Sequence, residues 1–254
     1  MKRFPLVTAH SGCMNEPINS LEALEAGLNA GADIVEDDIR ATRDGMLVLS
    51  HDDELHAADG SVRSIAAANY ETLRALELNG AVPGKTRRLA DLASALTLVK
   101  SSGKTMNLDV KSDDALEPMA ALIRRNDLTD SVFLSGCESA RAQLAQRIFP
   151  EAPKLLNANA RLFLDSPVYA DAVRQTIEEA LAASCFGINI AYRLIRPELL
   201  EAAAAAELPV FAWTIDDEAQ MKEALGMNLR SITTRNVEAL LRLKAAHVRD
   251  GSAG

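Results

Sequence analysis

Two acidic residues stand two positions apart in a short apolar run of this sequence. Glu36 and Asp38 lie in the run 34–40, and residues at i and i+2 of a strand point to the same face. Two carboxylates on one face repel each other unless a cation lies between them, and hard cations such as Mg²⁺ and Ca²⁺ prefer oxygen ligands. The spacing fits either a divalent-cation site or an ordinary solvated acidic ribbon.

A hairpin is expected directly after this run. Only five residues separate 34–40 from the next apolar run, 46–51, whereas a parallel crossover needs about a dozen residues or more. Asp44-Gly45 lies between the two runs, and Asp-Gly is a strong turn signal for a hairpin. We therefore predict that 46–51 returns antiparallel to 34–40.

The register of this hairpin decides which side chains meet. If 42–45 form a four-residue turn, the numbers of opposed residues sum to about 87, so that Glu36 lies opposite His51 and Asp38 opposite Leu49. Glu36, Asp38 and His51 then converge on one face, and a slip of one residue would break this arrangement.

A second histidine, His10, ends the first apolar run, 6–10. A lone histidine at the end of a strand is more often structural than catalytic. Together with His51 it becomes a candidate for chemistry, because two imidazoles near a metal and a substrate can divide the general-base and general-acid roles near neutral pH.

The run 106–111 alternates between apolar and polar residues. Asn107, Asp109 and Lys111 share one face, and a carboxylate and an ammonium inside a barrel mouth are costly to bury unless they are paired or used. They form either an internal salt bridge or a third metal ligand, Asp109, beside a phosphate-binding cation, Lys111.

The only tryptophan, Trp213, lies in the last part of the apolar run 209–215. It is either a buried core aromatic or, at the carboxyl end of a strand, an apolar wall for a substrate.

Short apolar runs alternate with helical patterns along the chain, and this alternation predicts an α/β fold with a parallel sheet covered by helices. Without the return arm of the hairpin, eight parallel strands remain, a count that favours a single closed (β/α)8 TIM-type barrel over an open doubly wound sheet. Asn19 is expected to cap the first helix, because Glu22 follows three residues later. The candidate strands are 6–10, 34–40, 46–51, 106–110, 131–135, 154–156, 186–190, 209–215 and 230–233, and the candidate helices are 21–28, 89–99, 115–125, 140–148, 168–183, 197–207, 218–225 and 237–247.

The length of 254 residues fits one such barrel over 1–254. The segment 53–88 is polar and weakly periodic, and loops at the carboxyl ends of barrel strands usually build the site. We therefore interpret 53–88 as a short insertion that covers the catalytic mouth, next to the hairpin.

The net charge of −9 argues against a nucleic-acid partner that needs a broad basic face. No stretch reaches the ~18 apolar residues of a membrane span, so stable membrane insertion is not expected. Three widely spaced cysteines give neither a disulfide framework nor a CxxC metal site, which favours a reducing, cytoplasmic location. The sequence also lacks the GxGxxG, GxxxxGK[ST], GxSxG and HExxH motifs.

As a set, the motifs resemble those of the glycerophosphodiester phosphodiesterase family of metal-dependent (β/α)8 barrels, over nearly the whole chain. Each motif alone is weak, but their order and spacing together are specific. They read Ala9-His10-Ser11-Gly12, Pro17-Ile18-Asn19-Ser20-Leu21, Gly31-Ala32-Asp33-Ile34-Val35-Glu36-Asp37-Asp38, Asp44-Gly45, His51-Asp52, Leu108-Asp109-Val110-Lys111 and Trp213-Thr214.

The resemblance implies a role for each of these positions. The acidic residues would bind one divalent cation, Mg²⁺ or Ca²⁺, and the two histidines would form the acid/base pair across the scissile phosphodiester. Lysine would neutralise phosphoryl oxygens, and tryptophan would line the pocket. The implied site is His10 and His51 as catalytic residues, Glu36, Asp38 and Asp109 as metal ligands, and Lys111 and Trp213 as substrate-binding residues.

This chain departs from the family pattern at several places. Ser11 stands where the family usually has arginine, so that one expected phosphate-binding cation is missing, and Ile18 replaces a glutamate. The third ligand is Asp109, where glutamate is common. Near the end of the chain, Asp216 and Thr234 stand in place of an asparagine and an aspartate.

The resemblance predicts a phosphoric diester hydrolase that acts on a small-molecule glycerophosphodiester or related diester and releases an alcohol and a phosphomonoester. Two alternatives are kept. One is a phospholipase D-like intramolecular transfer that gives a cyclic phosphate, and the other is a substrate-divergent member with weak or no turnover. The released alcohol, the preferred cation and the oligomeric state are left open.

Overall fold

The computed structural model describes residues 4–80 and 82–251. Each predicted strand is present, with ends that differ by at most two residues from the prediction. The strands are β1 (Leu6–Ala9), β2 (Ile34–Ala41), β3 (Leu47–Leu49), β4 (Glu54–His56), β5 (Val62–Ser64), β6 (Leu78–Asn79), β7 (Thr86–Arg87), β8 (Thr105–Val110), β9 (Val132–Ser135), β10 (Leu155–Asn157), β11 (Gly187–Ala191), β12 (Val210–Trp213) and β13 (Ser231–Thr234).

Eight of these strands form a nearly closed parallel barrel, in the order β10-β11-β12-β13-β1-β2-β8-β9. The seam between β9 and β10 is joined by a parallel bridge between Leu134 and Lys154 and by a hydrogen bond of 2.9 Å from Leu134 N to Pro153 O. This confirms the predicted (β/α)8 TIM-type barrel.

Helices surround the barrel, as the alternation predicted. They are α1 (Leu21–Ala30), α2 (Tyr70–Arg74), α3 (Leu92–Ser102), α4 (Leu116–Arg125), α5 (Ser139–Ile148), α6 (Ala160–Asp165), α7 (Tyr169–Ala182), α8 (Pro197–Ala205), α9 (Glu218–Gly226) and α10 (Val237–Gly251). No helix in the described ranges is both long and apolar enough to cross a membrane.

The predicted cap of α1 is wrong by one residue. The capping side chain is that of Ser20, whose Oγ accepts from Ala23 N, and not that of Asn19. Asn19 has a φ of 52°, a left-handed conformation that asparagine tolerates better than most residues. The side chain of Asn19 is therefore free for other contacts.

The barrel interior is apolar at one end and polar at the other. Phe133, Phe186 and Phe211 pack edge-on or tilted at centroid distances of 5.6–5.8 Å. Phe133 and Phe211 form a buried cluster with Ile34 and Leu155, and the half-buried Phe186 packs against it. These residues lie near the amino ends of their strands. Because alternate residues share a face, Ile34, Phe133 and Leu155 are each followed two positions later by a polar residue on the same inward face, namely Glu36, Ser135 and Asn157.

The hairpin is present, but its predicted register is wrong by one residue. β2 and β3 pair antiparallel with Ile39 opposite Leu49 and Arg40 opposite Val48, so opposed numbers sum to 88 rather than 87. The loop has three residues, because Thr42 N bonds to Met46 O at 2.9 Å and Gly45 has a φ of 77°. A three-residue loop with a left-handed glycine is a common hairpin form.

The segment after the hairpin has secondary structure of its own. β4 pairs with β5 and β6 pairs with β7, both antiparallel, and α2 lies between the two ribbons. The segment also has a small buried apolar cluster, which the polar sequence pattern did not predict. This cluster contains Val48, Leu55, Ala57, Ile65, Leu73, Leu78 and Leu89.

Candidate active site

A polar cleft of about 280 Å³ opens at the carboxyl ends of the barrel strands. It brings together all seven side chains that the sequence predicted for the site. The lining residues are His10, Glu36, Asp38, His51, Asn107, Asp109, Lys111, Asn157, Asn189, Trp213, Thr214, Thr233 and Arg235.

Three carboxylates meet in this cleft. Glu36 and Asp38 share the inward face of β2, and Asp109 on β8 is the direct ladder partner of Asp38. One ligand oxygen from each of the three lies within 4.8 Å of the others. The parallel pairing of β2 with β8 therefore builds the cluster, and the hairpin register plays no part in it.

The electrostatics of this cluster are those of crowded, buried negative charge. Burial, and next the charges of Asp38 and Asp109, raise the pKa of Glu36 well above its usual range. Burial also raises the pKa of Asp109, against the opposing charge of Lys111. Lys111 Nζ lies 3.0 Å from Asp38 Oδ1 and 2.9 Å from Asp109 Oδ1. Burial alone would lower the pKa of Lys111, but these carboxylates outweigh burial and raise it.

The donor set fits a hard divalent cation. Ligands on opposite sides of one Mg²⁺ or Ca²⁺ ion are roughly 4 to 5 Å apart, which matches the spacing of the carboxylate oxygens of Glu36, Asp38 and Asp109. Asn107, the ladder partner of Glu36, has a buried Oδ1 without a hydrogen-bond partner in the described part of the chain. One lysine does not balance three carboxylates, so a cation would relieve the repulsion that remains.

His10 follows β1 directly and faces the acidic cluster. Its Nε2 lies 3.7 Å from Glu36 Oε2, and its side chain is 21% exposed. Burial, and next the charge of Arg235, lower the pKa of His10 to about 4. The imidazole of His10 is therefore neutral near pH 7 and able to accept a proton.

His51 reaches the cleft for a different reason than the one predicted. The hairpin pairing extends to a hydrogen bond of 2.9 Å from Ser50 N to Asp38 O, and the chain bends at His51. Both main-chain groups of His51 are held by side chains: its N–H donates to Asn19 Oδ1 at 3.2 Å, and its carbonyl accepts from Arg40 Nε at 3.0 Å. Nδ1 lies 2.8 Å from Asp52 Oδ1, and the side chain is 61% exposed. With Nδ1 engaged, Nε2 is the free nitrogen.

A family model described as the glycerophosphoryl diester phosphodiesterase family matches residues 10–239. This chain belongs to that family. The matched range includes all seven predicted site residues. Six of them lie in the first half of the chain, and Trp213 lies near the end of the range. It confirms the resemblance deduced from the motifs, and it makes the protein a phosphoric diester hydrolase.

Relatives and solved structures of the same family extend over nearly the whole chain. A probable glycerophosphodiester phosphodiesterase 2 of Mycobacterium tuberculosis is 26% identical, over 92% of this chain and 89% of its own length. The crystal structure of a putative glycerophosphoryl diester phosphodiesterase from Silicibacter pomeroyi has a TM-score of 0.83 at 20% identity and covers 97% of this chain and 95% of that one. An Oleispira antarctica phosphodiesterase, solved in complex with the product sn-glycerol-3-phosphate, has a TM-score of 0.79 at 20% identity, with coverages of 95% and 97%.

In this member of the family, Asn19 is a site neighbour that the sequence did not predict. Its Nδ2 donates to Asp37 Oδ1 at 2.6 Å and to Asp38 Oδ2 at 2.9 Å, while its Oδ1 accepts from His51 N. One amide thus connects a carboxylate of the acidic cluster with the main chain of His51. The only sequence signal was the Pro-x-Asn motif in which Asn19 lies.

Asp37 points to the other face of β2, as the alternation requires, and is fully buried. Its Oδ1 also accepts from Asp38 N at 2.9 Å and from Ser11 Oγ at 3.3 Å. Burial, with a further contribution from Asp38, raises the pKa of Asp37 to about 7. The positive charge of the half-buried Arg87 of β7 opposes this rise in the pKa of Asp37. Arg87 also donates to Asn19 O at 3.2 Å. The inserted segment therefore packs against the back of the site.

Two asparagines on neighbouring strands form the far wall of the cleft. Asn157 and Asn189 are ladder partners, and Asn157 Oδ1 accepts from Gly136 N at 2.9 Å and from Asn189 Nδ2 at 3.3 Å. This arrangement leaves an amide N–H₂ on Asn157 and a carbonyl on Asn189 to face a ligand. Both positions lie at the carboxyl ends of predicted strands, which was the signal available in the sequence.

Trp213 lines the mouth of the cleft and is 37% exposed. Of its two interpretations, the core aromatic is therefore wrong, and the pocket wall agrees with the structure.

Proposed function

We propose that this protein hydrolyses a glycerophosphodiester to an alcohol and a phosphomonoester in a reaction that depends on a divalent cation. The observation that carries the proposal is the meeting of three carboxylates, two imidazoles and a lysine in one cleft at the carboxyl rim of the barrel. The solved Oleispira antarctica phosphodiesterase binds sn-glycerol-3-phosphate as its product, which supports a phosphomonoester of this class as a product here.

In this proposal Glu36, Asp38 and Asp109 hold the cation. When bound, the cation supplies Lewis-acid polarisation of the phosphoryl group and charge neutralisation. Lys111, which already contacts two of these carboxylates, directs its ammonium to a phosphoryl oxygen.

The two histidines would divide the proton transfers. His10 is neutral and deep in the cleft, so it takes the proton from the attacking water. His51 is at the mouth and has a free Nε2, so it gives a proton to the oxygen of the leaving alcohol. Trp213 would pack against the apolar part of the substrate at the mouth.

The first experiment is a turnover assay of the wild-type chain on a panel of water-soluble glycerophosphodiesters, with Mg²⁺, with Ca²⁺ and with excess chelator. We expect turnover with at least one cation and none with chelator. His51→Ala is expected to lose at least ~10²-fold in kcat/KM, since positioned acid–base groups contribute 10²–10⁴-fold. Glu36→Gln is expected to lose at least ~10²-fold as well, because it removes a charged ligand of the cation that polarises the phosphoryl group.

Matched controls are available in the inserted segment, where Glu54 and His56 are exposed on β4. Glu54→Gln and His56→Ala should keep wild-type turnover. Phosphorus NMR of the earliest product separates hydrolysis from intramolecular transfer, because a cyclic phosphate has its own shift. No turnover of any diester, or full activity of Glu36→Gln, would reject the proposal.

Two further expectations from the sequence, on domain organisation and on location, remain predictions. One is that 1–254 form a single domain with 53–88 as its cover. The other is a cytoplasmic location, which rests on the three free cysteines.

A further inference from the structure

A second cation besides Lys111 lines the cleft, and the strand ladder brings it to His10. β1 and β13 pair in parallel with Ala9 opposite Thr234, and His10 N donates to Thr234 O at 2.9 Å. His10 directly follows β1, and Arg235 directly follows β13. Arg235 therefore lies beside His10, on the rim of the same cleft.

The main chain and the side chain of Arg235 are both fixed. Asp216 Oδ1 accepts from Arg235 N at 2.7 Å, and Asp216 Oδ2 accepts from Arg235 Nη1 at 3.2 Å. Thr234 Oγ1 donates to the same carboxylate at 3.2 Å, and Arg235 O accepts from Met14 N at 3.0 Å. This anchoring presets the direction of the guanidinium before any ligand arrives.

The guanidinium has donors to spare. Arginine carries five N–H donors, and the contact with Asp216 uses Nη1 of a side chain that is 43% exposed. Lys111, in contrast, is held by two carboxylates at 3.0 and 2.9 Å. Of these two cations, Arg235 is the less neutralised and the more accessible.

We propose that Arg235 is a substrate-binding residue that donates to a non-bridging phosphoryl oxygen of the diester on the His10 side of the cleft, with Asp216 as its positioning residue. The inference rests on the proposed function and assigns the second phosphate contact of that site. It also accounts for Ser11, which stands where the family usually has a phosphate-binding arginine. In this chain the arginine beside His10 comes from the end of β13 instead.

Kinetics give the first test. Arg235→Ala should lower kcat/KM for the best diester by about 10- to 100-fold, the effect of losing a charge-assisted hydrogen bond, and Arg235→Lys should recover part of the loss. The matched control is Arg242→Ala, because Arg242 is also exposed and paired with a carboxylate, Glu218, but does not line the cleft. Low, non-denaturing guanidinium chloride should restore activity to Arg235→Ala, relative to sodium chloride at equal ionic strength.

A double-mutant cycle tests the positioning role of Asp216. Asp216→Asn should reduce kcat/KM in the wild type and have little effect in the Arg235→Ala background, because coupled residues are not additive. A purely structural role of the pair would instead lower the thermal midpoint together with the activity, without rescue by guanidinium.

Phosphate binding provides a readout that needs no turnover. Trp213 is the only tryptophan of the chain and lines the cleft, so its fluorescence can follow a titration with inorganic phosphate in the presence of Mg²⁺. We expect the apparent Kd to rise about tenfold in Arg235→Ala and to stay unchanged in Arg242→Ala. Equal Kd and equal kcat/KM in Arg235→Ala and wild type would overturn the inference while leaving the proposed function intact. A wild type that cleaves no diester would reject the proposed function, and the phosphate titration would then still decide whether Arg235 binds phosphate.

Discussion

His10 and His51 have side chains of the same type in different surroundings. His10 is mostly buried beside Glu36, with a pKa lowered to about 4 by burial and by Arg235. His51 is exposed, and its Nδ1 contacts Asp52. Two groups of one type whose environments differ are suited to opposite halves of acid–base catalysis, which is the basis for assigning His10 as base and His51 as acid.

This assignment predicts different responses to the leaving group. A p-nitrophenolate leaves without protonation, whereas a choline-type or glycerol alkoxide needs an acid. His51→Ala should therefore lose ~10²-fold or more on glycerophosphodiesters but much less on bis(p-nitrophenyl) phosphate. His10→Ala should lose activity on both substrates, because the attacking water is the same.

The comparison is made on kcat/KM for both substrates with wild type, both variants and His56→Ala as control. Equal losses of His51→Ala on the two substrates would contradict its role as acid. A leaving-group dependence found in His10→Ala instead would exchange the two roles.

Asn19 is predicted to position two parts of the site at once, since its amide bonds to Asp38 and to the main chain of His51. Loss of such an outer contact typically costs 10- to 100-fold in activity or metal affinity. Asn19→Gly keeps the left-handed backbone and removes the amide, so we expect a loss of that size in kcat with a smaller change in KM. Asn228→Gly is the matched control, because Asn228 also has positive φ, at 57°, and is exposed outside the cleft. Equal kinetics of the two glycine variants would refute the positioning role.

At the scale of elements, the hairpin of β2 and β3 carries the chain from Asp38 to His51. Its three-residue loop ends on Gly45, whose φ is 77°. A Cβ added at Gly45 would have no neighbouring atom within 4 Å. Gly45→Ala therefore meets no steric neighbour, and its cost is the left-handed backbone alone, roughly 1–2 kcal/mol. The measurement is the free energy of unfolding in urea.

Gly226 supplies the opposite case. It ends α9, it also has open space around its Cβ position, and its φ is not positive. Gly226→Ala should be neutral or stabilise by up to ~1 kcal/mol, because alanine is the better helix former. If Gly45→Ala were as stable as Gly226→Ala, the loop would not have the conformation described here.

The elements and the acidic cluster could be predicted because they depend on local patterns. Strand alternation puts Glu36 and Asp38 on one face, and parallel pairing brings Asp109 beside them. The hairpin register could not be predicted reliably, because loops of three and four residues both fit Asp44-Gly45 and differ by one position in every pair.

Contacts between distant loops were beyond the sequence patterns for another reason. The sequence pattern predicted Asn19 as a helix cap, whereas the partners of its side chain lie 8 to 32 positions away. Arg235 had no distinguishing neighbours in sequence, and only the pairing of β1 with β13 puts it beside His10. Such placements follow from the closure of the barrel, which periodicity does not encode.

At the scale of the whole molecule, the barrel interior has an apolar floor and a charged upper layer. Phe133, Phe186 and Phe211 fill the lower part, and the buried carboxylates lie above them. The apolar floor stabilises the fold, whereas the buried carboxylates at the other end repel one another. This repulsion destabilises the fold, but the same carboxylates are the groups that catalysis needs. Stability and function are therefore expected to respond in opposite directions to changes in the acidic cluster.

Glu36→Gln tests this opposition. Burial and the neighbouring carboxylates raise the pKa of Glu36, which means that its charged form is disfavoured in the folded protein. In chelator, Glu36→Gln should thus unfold at a higher temperature than wild type, with about 2–4 °C expected per kcal/mol for a chain of this size. In saturating Mg²⁺ or Ca²⁺ the order should reverse, because a ligand at a hundred times its Kd stabilises the folded state by ~2.7 kcal/mol and the variant has lost one ligand. Glu54→Gln, on exposed β4, should follow wild type in both conditions. A wild type whose midpoint ignores both cations, or a variant that gains as much as wild type from them, would show that Glu36 does not take part in a cation site.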